Sequence, residues 1–469
     1  MSHPARSGLP PAVSRARWLL MGLFALTGIV FSSWLARIPS VRDLLDLSTS
    51  ELGLMLLIGS LGALLTVTFA GIVVTRFGSR RSLLLSTAVL AVGYVLMGVG
   101  PTVGSVPLLG VGIFLNGVAI ALGNVPLNVE SARIERAMGR TVIPQFHAAF
   151  SIGAVTGSAV GAVASHLDIS VALQFSVIAV LAVVWRLGSL RGVVLDTAPG
   201  DRPRVPVLAD GAVPVLAGRR RRIASALDSW REPRTLLIGV VVMAAALSEG
   251  SANDWLSLAV VDGFAKPEAV GAAMLGVFVG AMTLVRLLGT RLIDRLGRVV
   301  VLRASGSVAL VGLVLFGFAP TLPIAGVGVV LWGFGAALAV PIGIAAASDD
   351  PMRAAGRVAV VSSFASVASI AAPPLLGIAA AATGTRHALV LITVAMVASV
   401  LLARRVAPET TPSTPSGKVA HVQPHVVAVI DPERVALVAD ADPDPVAAIV
   451  SRHVVPSQRT RRRRLVRVP

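Results

Sequence analysis

Twelve runs of mostly apolar residues, separated by short polar breaks, dominate the chain. They lie near 18–37, 52–75, 82–100, 106–129, 144–165 and 168–190, then near 235–260, 268–290, 299–319, 322–347, 355–381 and 386–403. A helix rises 1.5 Å per residue, so about 20 apolar residues cross a hydrocarbon core of ~30 Å. The pattern predicts an all-α integral membrane protein with twelve transmembrane helices in two six-helix bundles. The expected segments are a cytoplasmic stretch 1–17, a bundle 18–190, a cytoplasmic linker 191–234, a bundle 235–405 and a basic, disordered tail 406–469. The linker is rich in Pro and Arg ("RPRVPVLADGAVPVLAGRRRRIASALDSWREPR"), and the tail ends "RTRRRRLVRVP".

Composition agrees with the pattern. The 469 residues are 55% hydrophobic and 14% charged, and mean hydropathy is +0.82. Soluble domains have about 25% charged residues. There is no cysteine, which excludes disulfides and thiolate metal sites. No metal cluster, nucleotide loop or catalytic triad is visible, so neither an enzyme nor a cofactor is expected. No cleavable signal is evident, because the apolar run after Arg17 is too long for one. Nearly all the basic residues are Arg, as codon bias in a GC-rich bacterium produces. The net charge of +17 invites a nucleic-acid reading, but the Arg residues crowd into alternate loops. Arg15 and Arg17 precede span 1, Arg76, Arg80 and Arg81 follow span 2, and Arg133, Arg136 and Arg140 follow span 4. The opposite loops hold only Arg37, Arg42, Lys266 and Arg386. Cytoplasmic loops carry such an excess. It places both termini in the cytoplasm and the chain in a bacterial inner membrane, with linker and tail basics meeting anionic headgroups rather than nucleic acid.

Two loops repeat. The one after span 2 reads "GIVVTRFGSRR" (Gly71 to Arg81), and the one after span 8 reads "TRLIDRLGRVV" (Thr290 to Val300). Arg76 and Arg295 lie 219 residues apart, about half the core, as tandem halves require. The loops resemble the signature loop of the major facilitator superfamily, Gly-x-x-x-Asp-Arg-x-Gly-Arg-Arg. The resemblance covers about 18–405. Gly71, Arg76, Gly78, Arg80 and Arg81 match in the first copy, which has Thr75 in place of Asp. Asp294, Arg295, Gly297 and Arg298 match in the second, which has Thr290 in place of Gly. In that family such Asp and Arg residues pair across the cytoplasmic face and help hold the outward-open state.

"SSWLARIPSVRDLL" in span 1, "NGVAIALGNVPLNVE" in span 4, "FHAAFSIGAVTGSAVG" in span 5 and "EGSANDW" in span 7 resemble a branch related to fucose-permease-like sugar–proton symporters. That branch implies an acid at the place of Asn124, four residues before an Asn matched by Asn128. Without it, coupling through span 4 lacks its carboxylate. The glycine–proline signature of drug exporters is absent from span 5. Gly153, Gly157 and Gly161 form a small-residue packing stripe there instead.

Polar residues in hydrocarbon are costly and tend to face the bundle interior or a cavity. Glu249 and Asn253 share a face of span 7, and Gly250 and Ser251 between them are expected to loosen the helix. A desolvated Glu takes up a proton readily, which suits a proton carrier. The alternative role for Glu249 is a structural hydrogen bond. Asp254, beside Trp255, reads as the boundary of an aromatic belt near the outer surface. Asn116 sits at mid-depth, while Asn124, Asn128 and His147 lie nearer the cytoplasmic side, either as a polar pocket or as a tie between spans 4 and 5. Amides suit hydroxylated solutes as donor and acceptor. Arg286 in span 8 either snorkels or pairs with an acid. Trp34 and Trp332 are candidates to stack on a sugar ring, or else packing residues. Pro341, Pro373 and Pro374 read as kinks.

The reading is a monomeric secondary carrier of a small polar solute, with sugars or sugar derivatives first, working by alternating access and driven by protons. A drug or metabolite exporter of the same fold is the rival, and it predicts a largely apolar cavity. A non-transporting sensor or scaffold is the rival of another class.

Overall fold

The computed structural model describes residues 11–140, 142–194, 228–350 and 353–408. Most of the expected linker and tail, and the first ten residues, lie outside them. Among the described residues twelve helical stretches are long and apolar enough to cross a membrane, and none forms a strand. The first crossing is α1 (Pro11–Leu35), continued by the short α2 (Ile38–Leu44). The long α3 (Thr49–Thr102) makes two crossings. Then α4 (Val106–Met138), α5 (Ile143–His166) and α6 (Val171–Val193) complete the first six. The second six are α7 (Pro233–Phe264), α8 (Glu268–Leu296), α9 (Arg298–Phe318), a broken tenth span α10 (Leu322–Ala336) and α11 (Ala339–Ala347), α12 (Ala354–Thr383), and α13 (Thr385–Ala388) leading to α14 (Ile392–Leu402). This is the all-α, twelve-span, two-bundle architecture of the sequence reading. The face bearing Pro11, Val193 and Pro233 is termed proximal, and the opposite face distal.

The two repeated loops share one backbone feature. Helix α3 is broken at Gly78, with φ 82° and ψ 162°. Gly297, between α8 and α9, has φ 77° and ψ 156°. That region is essentially closed to residues with a Cβ. Two glycines at one repeat distance therefore turn the chain the same way in each half.

Packing is close where the sequence offers small residues. The stripe in α5 faces α1, and a Cβ added at Gly153 would meet the Ala25 carbonyl oxygen at 1.9 Å. Across the bundles, α5 packs on α8 and α3 on α12.

Prolines break the ladder of backbone hydrogen bonds at chosen points. A proline at position i cannot donate to the carbonyl at i−4. Pro341 so frees the carbonyl of Ala337, where the tenth span breaks between α10 and α11. Pro373 frees the carbonyl of Ser369 within α12, where it and Pro374 are accommodated without a break.

Gly78→Ala and Gly297→Ala should each cost roughly 1–3 kcal/mol, the scale of a disallowed backbone conformation. Thermal unfolding of the purified protein should show the loss for both, and an unchanged melting temperature in either would contradict the strain.

Candidate functional site

The middle of α7 holds the central charge. Glu249 lies about halfway along this 32-residue helix. Its Oε2 accepts a hydrogen bond at 2.7 Å from Nη2 of Arg286 on α8, and both side chains keep part of their surface accessible (25% and 32%). Arg286 also donates from Nε to the Ala337 carbonyl, 3.2 Å away. That is the carbonyl Pro341 leaves free, so one guanidinium satisfies a carboxylate and an orphaned backbone acceptor together. Of the two readings for Arg286, the structure has it paired with an acid. Helix α7 runs unbroken through Gly250 and Ser251, which corrects the expectation of a loosened turn: its backbone bonds are intact there, so no backbone group is freed toward a cavity. Asn253 is half-buried one turn further on.

A cleft of about 800 Å³ opens between α3, α4 and α12. Asn124, Asn128, Ser60, Ser366 and Ser369 supply its polar groups, and the rest of its wall is aliphatic. Asn128 donates from its amide to the Asn124 carbonyl (2.9 Å). At the head of the cleft Ser60 Oγ donates to the freed Ser369 carbonyl at 3.1 Å. Nearer the distal face Thr49 Oγ1 donates to the Gly377 carbonyl, also at 3.1 Å. Thus two hydroxyls tie α3 to α12 at the head of the cleft and distal to it.

Ion pairs close the distal face. The Arg37 Nε lies 3.2 Å from Glu268 Oε2, both nearly buried. The Ser40 amide and hydroxyl donate to the same carboxylate at 2.8 and 2.6 Å. Arg42 reaches Asp262 at 2.6 Å. These contacts join α2 and the turn before it to α7 and α8, across the bundles. Sequence reading counted Arg37 and Arg42 only as markers of orientation. The residues were present in the sequence, with Arg37 and Arg42 in the first distal loop and Asp262 and Glu268 around the end of span 7.

Of the other candidates, His147 lies near enough to Arg286 to interact with its charge, and the rest are scattered. Asn116 is buried in the first bundle with its Oδ1 unpartnered. His147 is exposed, with its ring edge-on to Phe24 (5.5 Å between centroids). Neither tryptophan offers a face to the cleft. Trp34 is buried against Phe175. Trp332 is fully buried against Phe278, with its Nε1 donating to Ser248 at 2.8 Å. The structure places both in packing rather than on a sugar-binding wall, because aromatic neighbours already occupy their faces. The aromatic-belt reading of Trp255 is likewise corrected: it is 1% exposed, since α7 continues past it to Phe264.

Of the signature residues, Gly71, Arg76, Gly78, Arg80 and Arg81 are exposed, as are Asp294, Arg295 and Gly297. Among the described residues no ion pair joins the two loops. Arg298 is used within its own bundle: it and Arg234 bind the two oxygens of Asp349 at 2.6 and 3.0 Å. Glu232 similarly takes Arg357 (2.7 Å) and Arg353 (3.2 Å). Burial pushes both carboxyls up. For Asp349 the hydrogen bonds and charges of Arg298 and Arg234 outweigh burial and hold it below its ordinary range. For Glu232, Thr235 and the two arginines do the same.

With this geometry in view, the comparisons are specific. The Major Facilitator Superfamily model matches residues 16–359. An uncharacterized transporter of Sinorhizobium fredii, y4wD, is 30% identical over 366 residues, 77% of this chain and 90% of that protein. The membrane protein MosC of Rhizobium meliloti is 26% identical over 370 residues, 79% of this chain and 84% of that one. Among solved structures, the nucleoside transporter NupG superposes with a TM-score of 0.64 at 16% identity, covering 83% of this chain and 98% of its own. The transporter FucP in its outward conformation gives 0.57 at 15%, covering 85% and 100%. At these identities the likeness establishes the fold.

Two outcomes are expected. The chain has no cysteine, so Ser40→Cys with Glu268→Cys gives a clean cross-linking pair across the distal contact. Complete cross-linking should stop transport in vesicles and reduction should restore it; transport that persists would mean this contact never opens. Second, a carboxyl with a depressed folded pKa stabilises fully above its unfolded value of ~4 and loses that contribution as pH falls through the lower folded value. Melting temperature should therefore fall on acidification below about pH 4. Asp349→Asn should flatten that fall, and an identical acid profile would rule out the contribution.

Proposed function

The chain belongs to the major facilitator superfamily, and from that membership we propose the finer reading that follows. The protein is a multi-pass membrane transporter and not an enzyme. Its solute is a small polar organic molecule, with sugars and sugar derivatives first, moved by alternating access and coupled to protons. The proximal face is cytoplasmic, in a bacterial inner membrane, and the protein works as a monomer.

The observation that carries this reading is the Glu249–Arg286 pair, half-accessible at mid-span. Charge held at such depth is kept where it has a use. The amides of Asn124 and Asn128 and the serines of the cleft add uncharged donors and acceptors, which match hydroxyl groups. The cleft toward the proximal side and the ties toward the distal side support reading this as an inward-open state. The signature loops, which are not ion-paired to each other among the described residues, fit it, because their mutual pairing belongs to the opposite state in this family.

One observation favours a second reading. Most of the cleft wall is aliphatic, with Leu64, Val67, Ile120 and Ile370 among its residues, which suits a lipophilic solute and an exporter.

Solute-induced pH change in proteoliposomes separates the two, over a panel of sugars, polyols and lipophilic cations. The expected result is external alkalinisation on adding one sugar or polyol, reduced at least tenfold in Glu249→Gln. A response only to lipophilic cations would establish the exporter. Sugar exchange without any pH change would remove proton coupling.

A further inference from the structure

Helix α7 carries a second carboxylate, Asp254, five residues past Glu249. It is half-buried. Among the described residues Asp254 joins no ion pair and accepts no hydrogen bond, in contrast to Glu249 with its arginine. The three buried polar side chains nearest it in sequence, Trp255, Ser251 and Ser257, have their Nε1 and Oγ atoms buried without a partner. Asp254 therefore sits in a polar but uncharged setting inside the bundle.

The charges on the elements packed against α7 are committed elsewhere or lie at the proximal end. Arg37, before α2, pairs with Glu268 on α8, and Arg42 on α2 pairs with Asp262 and Asp43. Arg286 on α8 holds Glu249, and Arg357 on α12 holds Glu232. Arg386 on α13 donates to the Gly317 carbonyl and lies over the Phe264 ring, while His387 packs on Phe318. Arg15 and Arg17 on α1, Arg291, Asp294 and Arg295 on α8, and Arg404 and Arg405 after α14 are all proximal. Helices α10, α11 and α14 carry no ionisable side chain. Among the described residues, no cation on these packed elements is left to compensate an ionised Asp254.

An isolated carboxylate in a low-dielectric interior is so unfavourable that it takes up a proton instead. A paired one does not need to. Resting on the reading of a proton-coupled carrier, we propose that Asp254 carries the coupling proton while Glu249 stays ionised against Arg286. The position supports this division. Asp254 lies eight residues before Asp262, about 12 Å along the helix, so the distal ion pairs stand between it and distal water. When they part, the carboxylate takes one proton from distal water. When they close and the cleft is open, it returns that proton to proximal water. One O–H bond forms and one breaks in each cycle, and no other bond changes.

The test needs no solute, so it stands apart from the solute panel. Purified full-length protein in lipid vesicles is titrated with acid and base, and the carbonyl band of protonated carboxylic acid is followed by infrared difference spectroscopy. Wild type should show a band that disappears as pH is raised. Asp254→Asn should lose it, and Glu249→Gln should keep it. An unchanged band in Asp254→Asn, or its loss in Glu249→Gln, would overturn the assignment. Should Asp254→Asn fail to fold, Asp254→Glu decides: a displaced band supports the proposal, and an undisplaced one refutes it. Failure of the solute panel with this band intact would remove the transport reading and leave the protonation site.

Discussion

Inside a bilayer no water completes a broken hydrogen bond, so every backbone carbonyl and every charge must find its partner within the protein. That constraint organises this structure. Pro341 removes the donor for the Ala337 carbonyl, and Arg286 replaces it while also holding Glu249. Pro373 does the same to Ser369, and Ser60 answers from the other bundle. Each proline converts a local defect into a tie between helices. The first tie fixes the charged centre. The second lies at the head of the cleft.

The balance between states follows from where the ties lie. Arg37, Ser40 and Arg42 hold Asp262 and Glu268 across the distal face, and among the described residues no ion pair joins the two proximal signature loops to each other. The nearly buried Arg37–Glu268 pair is strong only while both partners stay desolvated, and removing one partner leaves an uncompensated charge. In the alternating-access mechanism proposed above, opening the distal face would expose that pair to water, which favours a switch between two packings over a gradual loosening. The arginines clustered around Asp349 and Glu232 lie within one bundle and travel with it.

The repeat gives the two bundles matched hinges. Gly78 and Gly297 adopt nearly the same backbone angles, although the flanking signature residues differ, with Thr75 in one and Asp294 in the other. The turn has been kept where its side-chain partner has not. A backbone region open only to glycine is a stricter requirement than a solvent-exposed carboxylate, which explains the difference.

Span number, the six-plus-six arrangement and the signature turns were legible in the sequence, because hydropathy and glycine act locally and in order along the chain. The charge at Glu249 was legible too, since an acid in an apolar run is conspicuous. Its partner was narrowed to an acid or a snorkel for Arg286 but not chosen. The roles of Trp34, Trp332 and Trp255 were not legible, since an indole in a span reads alike whether it faces a cavity, lipid or another ring. Only tertiary structure placed Phe175 and Phe278 against two of them. The distal ion pairs join residues more than 200 positions apart, and no local pattern pairs Arg37 with Glu268. Sequence determined what each helix can tolerate; the packing of one bundle on the other decided which charges meet and which, like Asp254, are left alone.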